Sequence, residues 1–243
     1  MVLMPFFRKR VYSTGYLIDK YSIIKLIGQG RFGMCYLVSA HDKEYVFKEI
    51  KPKAIKKSGS KVIFESQILS SISHPLIPEI VDIIKKDDIY GYILEYKKGS
   101  TIEHMIFGYS HKFTSDEIYR IGSKLIEIIE YLHRNNIVHR DIRVPNVIIN
   151  EEDVYLIDFG LARFIDNKKY MPCEDFLYLG HLLLHLYYSS FQKTNVKSKP
   201  WYNELQLSLD ELNFLRKLLG LDDIYKNIYD VEKDFFKLKI TQI

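Results

Sequence analysis

The apolar residues of this chain change their period once, near residue 95, and no other feature constrains the fold as much. Before that point they fall in short β-rich runs at Tyr21–Ile27, Met34–Ser39, Glu44–Ile50, Ile80–Ile84 and Tyr90–Tyr96. Runs of this length read as strands, with His41-Asp42-Lys43 and Lys85 to Asp88 as turns between them. One interruption has helical spacing: Val62, Ile63, Ile68, Leu69 and Ile72 predict a helix over about 55–72, stopped before Pro75. After the change, Thr114-Ser115-Asp116-Glu117 offers capping oxygens and acidic groups to the positive end of a helix. Ile118, Ile121, Leu125, Ile128, Ile129 and Leu132 then form its apolar stripe. Short β-like runs follow at Val147–Ile149 and Val154–Ile157, and helical patterns return at about 175–188, 208–219 and 229–237. The expected class is α+β: a small antiparallel β-rich N-lobe with one helix, a hinge near 95–99, and a larger, mainly helical C-lobe.

The 243 residues allow one large domain or two lobes, and 47% apolar composition supplies a sizeable core and excludes a disordered chain. The net charge of +4 is small and spread along the chain, which implies an ordinary solvated surface and no nucleic-acid partner. A basic cluster at Lys51, Lys53, Lys56, Lys57 and Lys61 reads as the solvated start of a helix, with an acidic partner as the alternative. The two cysteines, Cys35 and Cys173, make neither a metal spacing nor a disulfide framework, which suits the reducing cytoplasm. Near the start, Arg8, Lys9 and Arg10 follow the apolar run, the wrong order for a signal peptide. The densest apolar run, Leu179 to Tyr188, is broken by His181 and His185 and is too short to span a membrane.

Three motifs carry chemistry. Gly28-Gln29-Gly30 and Gly33 close a strand and open another. A dinucleotide-binding turn would be followed by a helix, so a strand there favours a hairpin whose glycines let backbone N–H groups approach phosphates. Tyr45-Val46-Phe47-Lys48 places a lysine in an apolar strand, a costly position unless the ammonium meets a carboxylate or an anion; Glu65, mid-helix, is the candidate carboxylate. His139-Arg140-Asp141, then Asn146, then Asp158-Phe159-Gly160 lie on two loops joined by a predicted hairpin. They supply hard oxygen ligands for Mg²⁺ and a base for a hydroxyl.

In this order, the motifs resemble those of the eukaryotic-like, Hanks-type Ser/Thr protein kinases, in a small form like that of Gram-positive bacteria. The resemblance runs from about Tyr21 to Phe236. It includes a hinge-like Ile93-Leu94-Glu95-Tyr96 with Leu94 at the gatekeeper place, His74-Pro75, and Asp175-Phe176-Leu177-Tyr178-Leu179-Gly180. It implies an N-terminal extension over 1–20 and a kinase domain over 21–243, with lobes at 21–96 and 97–243. By resemblance Lys48 would hold ATP phosphates and Glu65 would hold Lys48. Asp158 and Asn146 would bind Mg²⁺, Asp141 would take the acceptor's proton, and Arg143 would reach the γ-phosphate. Gly28, Gln29, Gly30 and Gly33 would cover the phosphates. Cys35, Val46, Leu94, Glu95, Tyr96 and Ile148 would surround the adenine. Asp175 would brace the catalytic loop.

The chain departs from that pattern between Asp158 and Asp175. The segment is short and lacks Ala-Pro-Glu; Met171-Pro172-Cys173-Glu174 is the nearest remnant. From Gly160 to Asp175 it has no Ser or Thr, and Tyr170 is its one hydroxyl. Activation by Ser/Thr phosphorylation within it is therefore impossible, and Arg140, the expected phosphate partner, is left to Asp166, Glu174 or solvent. The acceptor stays open between a protein and a small-molecule hydroxyl. Besides a Ser/Thr kinase, the alternatives are a small-molecule or specialised kinase or ATPase, and a nucleotide-binding pseudokinase scaffold.

Overall fold

The computed structural model describes residues 11–30, 33–50, 60–86, 89–192 and 199–240. The N-terminal run through Arg10 and the basic cluster at Lys51, Lys53, Lys56 and Lys57 lie outside these residues. The chain divides into two compact units, one holding residues up to Ser66 with Glu79–Tyr96, the other holding Gln67–Pro78 with everything from Lys97 on.

The first unit is built on β1 (Leu17–Ile18), β2 (Tyr21–Gln29), β3 (Gly33–Ala40), β4 (Lys43–Ile50), β5 (Ile80–Lys86) and β6 (Ile89–Glu95). They form one six-stranded antiparallel sheet in the order β1-β2-β3-β4-β6-β5. The helix α1 (Ser60–Ser70) supplies Glu65. Because side chains alternate across a strand, the register sorts them into two faces. Met34, Tyr36 and Val38 of β3 share a face with Phe47 and Ile93, and Tyr12, Ile18, Tyr21 and Ile23 join them in a buried aromatic-rich core. Tyr12 stacks on Tyr16 at 4.8 Å and donates to Glu49 Oε1 at 2.9 Å. The opposite face carries Cys35, Val46, Lys48 and Leu94. At Gly33 a Cβ would stand 1.9 Å from the Glu49 carbonyl oxygen, so the β3–β4 pairing there accepts only glycine.

The second unit opens with β7 (Ser100–Thr101), α2 (Ile102–Phe107) and the long α3 (Ser115–Arg134). The predicted start of α3 is a full capping box. Thr114 Oγ1 accepts the Glu117 N–H at 3.3 Å, and Glu117 Oε2 accepts the Thr114 N–H at 2.8 Å. All six predicted stripe residues are buried. Then come β8 (Ile137–Val138), β9 (Val147–Asn150), β10 (Asp153–Leu156) and β11 (Arg163–Phe164). Their sheets are small: β10-β9-β7 and β11-β8. The helices α4 (Cys173–Ser189), α5 (Trp201–Glu204), α6 (Leu209–Leu218) and α7 (Ile228–Ile240) complete the unit.

Helix α7 docks on α3 through Phe235. A Cβ on Gly122 would lie 2.5 Å from Phe235 Cζ, so the ring rests on bare backbone, with Tyr119 stacked against it at 4.9 Å. Among the described residues no helix is long and apolar enough to cross a membrane. The predicted helix over 55–72 is described from Ser60 to Ser70, ending before Ile72, and residues 51–59 are outside the described set.

Candidate active site

In the first unit, Lys48 Nζ donates to both oxygens of Glu65, at 2.6 and 2.8 Å. The side chains are 12% and 7% exposed, so the pairing meets the desolvation cost that a lysine in this strand incurs. Strand register places the other expected residues on the same face. Cys35 lies directly opposite Lys48 across β3–β4, Leu94 opposite Val46 across β4–β6, and Gly28 opposite Cys35 across β2–β3. Gln29 pairs with Met34, the Gly30 N–H bonds the Gly33 carbonyl at 3.0 Å, and a Cβ on Gly30 would meet nothing within 4 Å. Glu95 ends β6, its N–H bonded to the Glu79 carbonyl at 2.9 Å, with Tyr96 just beyond.

In the second unit, Asp175 is fully buried at the start of α4. Its Oδ1 accepts the Arg140 N–H at 2.7 Å, and its Oδ2 accepts the His139 N–H and His133 Nε2, each at 3.0 Å. The loop it braces contains Arg140 at φ +66°, a left-handed backbone that a non-glycine residue holds only where its surroundings over-determine it. His139 is buried, and its Nδ1 accepts the Asp141 N–H at 3.2 Å. Its ring meets Phe159 edge-on at 4.6 Å. Burial pushes the imidazole pKa down, which keeps it neutral and able to accept.

Asp141 is held from two sides. The Arg143 guanidinium forks onto both carboxylate oxygens, Nη2 at 2.9 Å from Oδ2, and this contact raises the Arg143 pKa. Asn146 Nδ2 donates to Asp141 Oδ2 at 2.8 Å and to the Asp141 carbonyl at 2.9 Å. The β9–β10 hairpin returns the chain so that the Ile157 N–H bonds the Asn146 carbonyl at 2.9 Å, and Asp158 follows at once with φ +63°. Asp141, Asn146 and Asp158 are thus brought to one end of one hairpin, and Ile148 lies within β9. A carboxylate and an amide are the hard donors a divalent cation takes when phosphate oxygens and water complete its shell. No group of three His, Cys, Asp or Glu side chains that could hold a metal alone is found among the described residues.

Arg140 has a carboxylate partner in place of a phosphate. Its Nε donates to Glu174 Oε2 at 2.8 Å, its Nη1 to the Leu161 carbonyl at 3.3 Å, and its guanidinium lies over the Tyr170 ring at 4.7 Å. The other candidate, Asp166, instead accepts the N–H groups of Lys168, Lys169 and Tyr170 at 2.8–2.9 Å, which holds its pKa below the ordinary range.

Half-buried His133 and buried Tyr92 are absent from the expected set. His133 falls where the α3 stripe ends, and only its bond to Asp175 gives it away. Tyr92 is directly opposite Lys48 in the β4–β6 ladder, a place legible from the strand pattern once the register is known.

Residues 21–190 match the family described as "Protein kinase domain". The chain is 35% identical over 235 residues to a probable serine/threonine-protein kinase, YbdM, of Bacillus subtilis, covering 93% of this chain and 92% of that one. It is 33% identical to a probable serine/threonine-protein kinase, KIN1 homolog, of Enterocytozoon bieneusi, over 66% of this chain and 28% of that protein. It is also 33% identical to the serine/threonine-protein kinase OXI1 of Arabidopsis thaliana, over 59% of this chain and 37% of that protein. An antiparallel sheet with a lysine–glutamate pair, a braced His-Arg-Asp loop and an Asp-Phe-Gly turn agree with these similarities, and the chain belongs to the protein kinase family.

Proposed function

We propose that the chain is a serine/threonine protein kinase that uses Mg²⁺ and transfers the γ-phosphoryl group of ATP to a hydroxyl of a protein in the cytoplasm. The observation that carries this reading is the Asp141 carboxylate, fixed by Arg143 and Asn146 on a loop whose backbone is bonded to buried Asp175. A scaffold that only binds nucleotide has no need of a carboxylate oriented in this way. The likeness to YbdM, named a probable serine/threonine-protein kinase, over nearly the whole of both chains supports the acceptor class.

In this reading the domain is residues 21–243, with lobes at 21–96 and 97–243 after an N-terminal extension. Lys48, held by Glu65, binds the α- and β-phosphates, and the turn containing Gly28, Gln29, Gly30 and Gly33 covers them. Cys35, Val46, Leu94 and Ile148 serve the adenine faces, and Glu95 and Tyr96 its edge. Asp158 and Asn146 hold Mg²⁺, which when bound neutralises phosphate charge. Asp141 orients the acceptor hydroxyl and takes its proton, and Arg143 turns from Asp141 to the γ-phosphate. Phosphoryl transfer needs little covalent help, so alignment and charge neutralisation account for the rate.

A second reading, a specialised acceptor outside ordinary peptides, draws on the short segment between Asp158 and Asp175, latched by Arg140 and Glu174. The test uses labelled ATP with and without Mg²⁺, on the unchanged protein and on Asp141→Asn. Nucleotide binding is expected in both and transfer only in the unchanged protein with metal. Equal transfer by the variant would refute the role of Asp141. Binding without transfer in the unchanged protein would make the chain a scaffold.

A further inference from the structure

Tyr92 is 1% exposed, and its hydroxyl is buried with no hydrogen-bond partner among the described residues. A buried phenol left unbonded costs about 1–3 kcal/mol, and a phenylalanine would fill the same space without that cost. The hydroxyl is therefore expensive in the state seen here, and its position says where it could be used. Tyr92 faces Lys48 across the β4–β6 ladder, on the side of the sheet that carries Cys35, Val46 and Leu94. Burial, and after it the nearby Glu65 carboxylate, push the phenol pKa well above the ordinary tyrosine value, against the Lys48 ammonium, which lowers it. The phenol is thus a protonated donor at any working pH, beside the Glu65 carboxylate.

Both Glu65 oxygens are at present bonded by the Lys48 ammonium, at 2.6 and 2.8 Å, so Tyr92 has no oxygen to itself. That changes if Lys48 turns part of its N–H capacity to a polyphosphate. One carboxylate oxygen then loses its donor while remaining 7% exposed, and an unmet buried charge is costly. We propose that the Tyr92 hydroxyl is a reserve donor that takes up the Glu65 oxygen released when Lys48 engages phosphate, and so holds Glu65 and Lys48 in place in the nucleotide-bound state. Tyr92 is a positioning residue: it acts on the nucleotide through Glu65 and Lys48. This inference rests on the reading above that Lys48 binds ATP phosphates.

The test is Tyr92→Phe in the full chain, with melting temperature measured with and without MgATP and with KM and kcat determined separately. Without nucleotide the variant should melt at the same temperature or higher, since it loses only an unbonded hydroxyl. With MgATP it should gain less stability than the unchanged protein, and its KM for MgATP should rise on the order of tenfold, with kcat changed less than about twofold. The control Tyr90→Phe, on the same strand and half-buried, should leave both readouts unchanged. Two results overturn the inference: an unchanged KM with an unchanged nucleotide-induced shift, or a nucleotide-free melting temperature lowered by several degrees, which would make the hydroxyl a plain structural bond. If the unchanged protein shows no MgATP-induced shift, the kinase reading itself fails, and the inference with it; an effect lost only in Tyr92→Phe separates the two.

Discussion

Replacing Asp175 by asparagine keeps the size of a fully buried side chain and removes its charge, so the result reads out what the charge does. Three N–H donors converge on the carboxylate: Arg140 N at 2.7 Å, and His139 N and His133 Nε2 at 3.0 Å. An asparagine offers one oxygen and one NH₂, so in either orientation at least one of those donors faces another donor. A hydrogen bond to a charged acceptor contributes about 1.5–3 kcal/mol, and a buried donor left unmet costs about 1–3 kcal/mol. The least damaging orientation gives up the single bond to Arg140 N, and the sum is then about 2.5–6 kcal/mol. For a chain of this size each kcal/mol lowers the melting temperature by about 2–4 °C, so a fall of roughly 10 °C is expected. Activity should fall further than stability. The Arg140 N–H anchors a left-handed backbone immediately before Asp141, and releasing it lets the carboxylate drift from its place. Calorimetry and initial rates well below the new melting point test both parts. A variant that melts within about 2 °C of the unchanged protein and keeps its kcat would refute the claim that buried Asp175 organises the loop.

Other expectations follow from features elsewhere in the second unit. Gly122→Ala should destabilise by about 1–3 kcal/mol through the clash with Phe235, despite the helix preference of alanine, and adding Phe235→Leu should recover part of the loss. Purely additive urea midpoints would show that the two positions do not touch. Burial raises the Asp234 pKa, but hydrogen bonds from Lys237, Lys217 and Tyr225 outweigh it and bring it to about 2. A carboxylate with a depressed folded-state pKa stabilises fully above its unfolded pKa of about 4 and loses that contribution as pH falls toward 2. The stability gap between the unchanged protein and Asp234→Asn should thus be constant from pH 7 to 5 and narrow at pH 3; a gap independent of pH would contradict this. Glu174→Gln breaks a pair whose side chains are about a quarter exposed, so it should cost less than about 1 kcal/mol of stability while lowering activity several-fold. Mass spectrometry of the active, unchanged protein should find residues 160–175 without phosphate, and activity that depended on phosphate at Tyr170 would reverse that conclusion.

The parts of the fold written in long repeats were legible in the sequence. The α3 stripe and the Thr114–Glu117 cap needed only spacing and a capping residue, both local. Short elements were not legible: α2 has six residues, and β8 and β11 have two each, lengths at which periodicity carries no signal. These small pieces exist because tertiary pairing holds them, as β8 and β11 hold each other through Val138 and Arg163. At the site, residue identities and order were legible, and partner choice was not. Arg140 could have met Asp166 or Glu174; the turn at Lys168–Tyr170 occupies Asp166 through three backbone N–H groups and leaves Glu174. Arg143 lies on Asp141, a contact between side chains two residues apart on an irregular loop, which spacing alone does not foretell. Tyr92 is not legible as part of the site, because an aromatic residue in an apolar strand looks like core until the register puts it opposite a lysine.

The salt link between Arg140 and Glu174 is encoded in the gene and forms as the chain folds. Its two partners are side chains of the chain itself, so the link needs no added phosphate and offers a phosphatase nothing to remove at that spot.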